Sequence, residues 1–180
     1  MKISNLFESA DNEGEEWNKP NLIGYENFVY LLPSLEGVER DSVQDRIKKG
    51  KYNANKTGIS SWKGIPKHCT FDVHVSGNNL KDFEHAPEVI DGDLNIANNL
   101  FTSLSGIDKH IKEIHGTLNL FGNNIETAML GLMNIKGLTK IGFSNQPKIE
   151  AIFNKHLPVG DVFDCQDELI DAGFNEYAKL

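Results

Sequence analysis

The sequence predicts a mixed α/β (α+β) fold: a short solenoid of repeated units with one sheet of stacked strands, closed at both ends by helical segments. Three observations predict it. Alternating runs recur at Val73-His74-Val75, Leu94-Asn95-Ile96 and Leu118-Asn119-Leu120. Each is followed by an asparagine pair, at Asn78-Asn79, Asn98-Asn99 and Asn123-Asn124. The flanking stretches abandon this pattern and take up helical spacing instead.

The runs and pairs combine into one template, apolar-x-apolar-x-x-Asn-x-apolar-x-x-apolar. Leu80, Phe101 and Ile125 fill the slot after the asparagine, and Phe83, Leu104 and the weaker Ala128 fill the last. Upstream, Tyr52, Ala54, Thr57, Ile59 and Trp62 occupy the same slots; downstream, Ile141 and Phe143 begin a copy that decays at Gln146. First positions at residues 52, 73, 94, 118 and 141 give a period of about 21 to 24 residues, within the leucine-rich-repeat range of about 20–29. Alternation turns Val73/Val75, Leu94/Ile96 and Leu118/Leu120 toward a core. The slot asparagine can bond backbone groups where the chain leaves each strand, and stacking buries what one unit alone cannot. Between strands, Gly64-Ile65-Pro66, His85-Ala86-Pro87 and Gly106-Ile107-Asp108 are equivalent. Proline there predicts a return side of turn or 3₁₀ character. In the longer third unit, His110 to His115 is expected to form a short helix.

Four segments follow. Residues 1–20 read as a leader, rich in Glu, Asn, Asp and Gly from Ser9 to Pro20. Residues 21–51 read as an N-terminal cap, with an apolar run at Phe28–Leu32 and a short helix starting near Asp41 or Ser42 and stopped by Gly50. Residues 52–147 hold the repeats. Residues 148–180 read as a helical C-terminal cap: Ile149, Ile152, Phe153 and Leu157 have helical spacing, and a second helix after Gly160-Asp161 carries Val162, Phe163, Leu169 and Ile170 toward Gly173. Caps of this kind cover the last apolar face of a repeat stack.

Bulk composition narrows the function. The 180 residues are 39% hydrophobic and 9% aromatic, ordinary for a globular domain, with a formal charge of -8. That sign argues against a dedicated nucleic-acid binder and against an anionic membrane, and suits a neutral or basic protein partner. Cys69 and Cys165 are too few for a disulfide framework and imply a reducing, cytoplasmic setting. No apolar run approaches a membrane span.

The motifs of catalysis are missing from the sequence. His68, His74, His85, His110, His115 and His156 form no His-Glu-x-x-His pattern, and His68-Cys69 lacks the rest of a zinc quartet. Gly50-Lys51 and Lys56-Thr57-Gly58 lack the spacing of a phosphate loop. No nucleophile elbow or dinucleotide fingerprint occurs. The expectation is a chain without enzymatic activity, cofactor or metal. The alternating residues opposite the core form a polar patch with one aromatic: Asp72 and His74, Asp93 and Asn95, and Thr117, Asn119 and Phe121. Such mixtures are found at binding surfaces, so these seven are the candidate partner-binding residues.

The run Asn98-Asn99-Leu100-Phe101-Thr102-Ser103-Leu104-Ser105-Gly106-Ile107 resembles the degenerate leucine-rich repeats of bacteriophage proteins. The resemblance covers roughly Tyr52 to Phe143, and the ending with Asn154-Lys155-His156-Leu157 and Glu176-Tyr177-Ala178-Lys179-Leu180 resembles the tails of such proteins. The enlarged third unit and decayed fifth depart from the pattern. The start, Met1-Lys2 through Leu6-Phe7-Glu8, is similar to the capsid-targeting peptides of T-even-like phages, which implies cleavage after Glu8. The resemblance implies a phage accessory protein acting on a host protein in the host cytoplasm, for example to blunt host defence. Two alternatives stand beside it: a structural or internal virion protein, and an acidic nucleic-acid mimic.

Overall fold

Two or three alternating residues make too few backbone bonds to stand as a sheet alone. They form one when the same run returns at a fixed interval and lies beside its copy. The computed structural model describes residues 51–63, 65 and 67–180 and shows that arrangement. The expected leader, with its cleavage at Glu8, and the expected N-terminal cap up to Gly50 lie outside the described residues.

In chain order the strands are β1 (Lys51–Asn53), β2 (His68–Cys69), β3 (Asp72–His74), β4 (Val89–Ile90), β5 (Leu94–Asn95), β6 (Glu113–Ile114), β7 (Thr117–Asn119) and β8 (Lys140–Gly142). Parallel pairing joins β1-β3-β5-β7-β8 into one sheet. Its register sets Tyr52 beside Val73, Val73 beside Leu94, Leu94 beside Leu118 and Leu118 beside Ile141. The first slots of the repeat template are therefore lateral neighbours.

The expectation of a single sheet is corrected. Beyond the turns expected there, which do form, the return side also holds a second parallel sheet, β2-β4-β6, with Cys69, Ile90 and Ile114 in register. A bridge from Glu113 to Lys136 continues it by one position. Proline does not prevent this pairing. Pro87 precedes β4 by two residues, so its missing N–H is outside the ladder. The chain thus alternates between two sheets, and the core lies between them. Ile59, Trp62, Val73, Leu80, Phe83, Leu94, Phe101, Leu118, Ile141 and Phe143 are all buried there. Phe83 and Phe101 stack with centroids 4.7 Å apart, and the Trp62 indole N–H donates to the Asp82 carbonyl at 2.8 Å. Burial of Phe101 and of Phe143 each contributes about 1.5–3 kcal/mol.

The corner after each strand of the larger sheet has its own chemistry. In the first four units the residue before the asparagine slot, which holds Thr57 in the first and an asparagine in the next three, has positive φ: Lys56 at 58°, Gly77 at 69°, Asn98 at 53° and Gly122 at 70°. That left-handed residue reverses the chain, and glycine and asparagine adopt it most readily. Asn78, Asn99 and Asn123 then lie buried inside the corner. Their Nδ2 groups donate in a continuous chain. Asn78 bonds the Ala54 and Val75 carbonyls, both at 2.8 Å, Asn99 those of Val75 at 2.9 Å and Ile96 at 3.0 Å, and Asn123 those of Ile96 at 2.9 Å and Leu120 at 3.0 Å. Their oxygens accept N–H groups from the preceding unit, including Gly58 at 2.8 Å and Leu80 at 3.0 Å.

The proposed third-unit helix is also corrected. Helix α1 spans Ile107–His110, while Glu113–Ile114 is the strand β6. Gly106, at φ 73°, starts the turn early, and it places Ile107 in the buried slot shared with Ile65 and Ala86. Each of those three N–H groups bonds the carbonyl three residues back at 3.0 Å. A 3₁₀ segment, Leu130–Asn134, fills the matching place in the fourth unit.

Two helices follow. Helix α2 (Pro147–His156) begins on a proline, where a missing N–H is harmless. Helix α3 (Val162–Asp171) is capped by the Asp161 carboxylate, which accepts the Asp164 N–H at 3.0 Å. Helix α2 lies along β8, and α3 packs on α2 and on the 3₁₀ segment. The last residues return to the repeats: the N–H groups of Ala128, Met129 and Leu130 donate to the carbonyls of Glu176, Tyr177 and Lys179. No helix among the described residues is long and apolar enough to cross a membrane.

Candidate interaction face

Side chains opposite the core slots of a strand project from the outer surface of the larger sheet. The structure brings the candidates together there, but it uses several of them internally. The Asp72 carboxylate accepts the Asp93 N–H at 2.9 Å, and the Asp93 carboxylate accepts the Thr117 N–H at 2.6 Å. Glycine makes room for both. A Cβ at Gly92 would lie 2.2 Å from the Asp72 oxygen, and one at Gly116 would lie 2.4 Å from that of Asp93. Asn95 and Asn119 close local turns, accepting the Ala97 N–H at 3.1 Å and the Phe121 N–H at 3.0 Å. His74, Asp72, Asn95, Thr117 and Asn119 are half-buried in this row, and Asp93 and Phe121 are exposed.

Phe121 breaks the pattern of its own position. The corresponding residues in the earlier units are Asn55, Ser76 and Ala97, yet Phe121 is 47% exposed. Leu100 does the same at the slot held elsewhere by Gly58, Asn79 and Asn124, and is 57% exposed. The Phe121 carbonyl accepts the Asn98 N–H at 2.7 Å, two residues before Leu100. Both apolar groups therefore stand on adjoining units at one corner of the sheet. Leu100 was not among the sequence candidates. Its signal was an apolar residue at a slot that is polar or glycine elsewhere.

The other side of the molecule carries charge pairs. His68 meets Asp91 at 2.9 Å, and Glu113 accepts from Lys136 at 3.0 Å with His115 at 3.1 Å. The Lys136 hydrogen bond, helped by that of His115, outweighs desolvation and holds the Glu113 carboxyl below its ordinary value. A cleft of about 500 Å³ is lined by Lys81, Asp82, Glu84, Ser103, Ser105 and His110 among others. Among the described residues no group of three His, Cys, Asp or Glu side chains is placed to hold a metal ion.

Neither cysteine is in a disulfide, and both are buried. Burial, with the Asp91 charge second, pushes the Cys69 thiol up to about 12. Burial, then Glu168 and Asp161, does the same to Cys165. Neither presents a thiolate, the form that acts as nucleophile or metal ligand.

No protein-family model matches this chain, and neither a curated protein nor a solved structure matches it.

Proposed function

We propose that this chain is a leucine-rich-repeat-like solenoid that works as a non-enzymatic binding module, taking a protein partner on the outer face of its larger sheet. One observation carries the reading: Phe121 and Leu100 expose apolar surface at slots where the other units have small or polar residues. The core does not require either side chain there. Exposed apolar groups bordered by polar side chains, here Asp72, His74, Asp93, Asn95, Thr117 and Asn119, are a common make-up of a protein interface. The resemblance to bacteriophage repeat proteins makes the partner a host protein and inhibition of host defence the purpose.

The test is affinity capture from bacterial lysate with the full chain, comparing wild type with Leu100→Ser/Phe121→Ser, followed by reconstitution with the purified partner. Both substitutions are at exposed positions and should change stability by no more than about 0.5 kcal/mol each. A partner that binds wild type directly and loses affinity for the variant supports the reading. Equal binding by both overturns the assignment of the face. Capture of further copies of the chain itself would instead favour the structural virion role.

A further inference from the structure

We infer that the outward side of α3 is a second docking surface, for a protein whose apolar groove is rimmed by lysine or arginine. Helix α3 buries Cys165 and Leu169 against the rest of the molecule. The sequence assigned Phe163 and Ile170 to the apolar content of this cap, but the structure turns both outward. Phe163 is 79% exposed and Ile170 47% exposed. They are seven residues apart, so they lie on one line about two turns long. Val159, 77% exposed, precedes them in the turn before the helix. Three large apolar side chains on one short stretch are more than a cap needs, and their spacing is that of a helix laid in a groove.

Charge selects the occupant. At about 100° per residue, Asp167, Asp171 and Asp164 follow Phe163 round the same flank. The helix contains no lysine or arginine. Among the described residues its ion-paired acid is Glu168, held by Lys155 and His156 at 2.6 Å each, while the three aspartates have no cationic partner. A second copy is disfavoured, because a two-fold interface would set this aspartate row against itself on a chain of charge -8. An anionic lipid surface is repelled for the same reason. A basic rim around an apolar floor satisfies both halves of the stripe.

The test titrates the full chain against a fluorescein-labelled, disulfide-linked pair of leucine- and lysine-rich helical peptides, about 18 residues each, which present a leucine-floored groove with a lysine rim, by anisotropy at about 50 and 300 mM salt. Wild type should bind, more weakly at the higher salt. Phe163→Ser/Ile170→Ser should weaken binding about tenfold or more, with an unchanged melting temperature as the folding control. Asp164→Asn/Asp167→Asn/Asp171→Asn should weaken it and remove most of the salt dependence. A peptide pair with glutamate in place of lysine should not bind, and Leu100→Ser/Phe121→Ser should bind the basic pair as wild type does. Absence of binding, or equal binding by wild type and the Phe163→Ser/Ile170→Ser variant, overturns the inference. So does sedimentation of wild type as a dimer that this variant dissolves, which would make a second copy the occupant.

Discussion

Asn154 takes the place of a sixth strand beside Ile141. Its side-chain oxygen accepts the Ile141 N–H at 2.7 Å, and its Nδ2 donates to the Ile141 carbonyl at 2.9 Å. Two residues on, the Glu150 carboxylate accepts the Phe143 N–H at 2.6 Å. One face of α2 therefore satisfies the edge of β8, while Ile149, Ile152 and Phe153 bury against it. An uncovered edge of paired-strand geometry invites another chain. Asn154→Leu should destabilise the fold by about 1–3 kcal/mol in urea unfolding. It should also produce concentration-dependent association in sedimentation. A variant as stable and as monomeric as wild type would show that α2 holds by its apolar face alone.

The asparagine chain makes a sharper demand. Asn99 shares the Val75 carbonyl with Asn78 and the Ile96 carbonyl with Asn123, and its oxygen receives the Leu80 N–H. Asn99→Ala leaves that buried N–H unpaired and interrupts the ladder, at an expected cost of about 2–4 kcal/mol. Asn99→Asp keeps the shape but loses both donors and faces two carbonyls with a carboxylate, so it should be at least as damaging. Chemical unfolding of the two variants checks this; a mild Asn99→Asp would mean that shape matters more than donation.

These asparagines and the strand slots were legible because the same residue types return at one spacing. The second sheet was not. Its strands are two residues long with a single buried residue each, Cys69, Ile90 and Ile114, so there is no alternation to read. The left-handed row escaped notice because Lys56, Gly77, Asn98 and Gly122 share a conformation but not a residue type. Of the candidate face, Phe121 could be read as an outward aromatic. Leu100 was hidden beside Phe101, which takes the core slot. The internal bonds of Asp72 and Asp93 depend on a glycine one unit away, a relationship visible only in three dimensions. In α3, burial of Cys165 and Leu169 rotates Phe163 and Ile170 away from the core, which spacing alone left undecided.

Acid should loosen the C-terminal cap. The Lys155 hydrogen bond, and then that of His156, lower the Glu168 carboxyl from its ordinary 4.5. A group depressed in the folded state contributes stability that is present above its unfolded pKa and is lost as pH falls through the folded value. Its contribution should thus be constant at neutral pH and fade below about 4.5, with Glu113 acting in the same direction. Glu168→Gln should lower the melting temperature at pH 7 and flatten its fall in acid. A parallel fall in both proteins would remove Glu168 from the account.

Gly116 decides whether Asp93 is held chiefly by the fold. A Cβ there would sit 2.4 Å from the Asp93 carboxylate and 2.8 Å from the Gly92 carbonyl. Gly116→Ala should therefore cost about 1–3 kcal/mol by overpacking. Removing the carboxylate relieves the closer of the two contacts but not the one to backbone. It also frees the Thr117 N–H that Asp93 now accepts. Asp93→Ala/Gly116→Ala should then recover only part of the loss, measured as the coupling in a double-mutant cycle. Full additivity would show that the carboxylate swings clear at little cost, leaving Asp93 available to a partner on the sheet face.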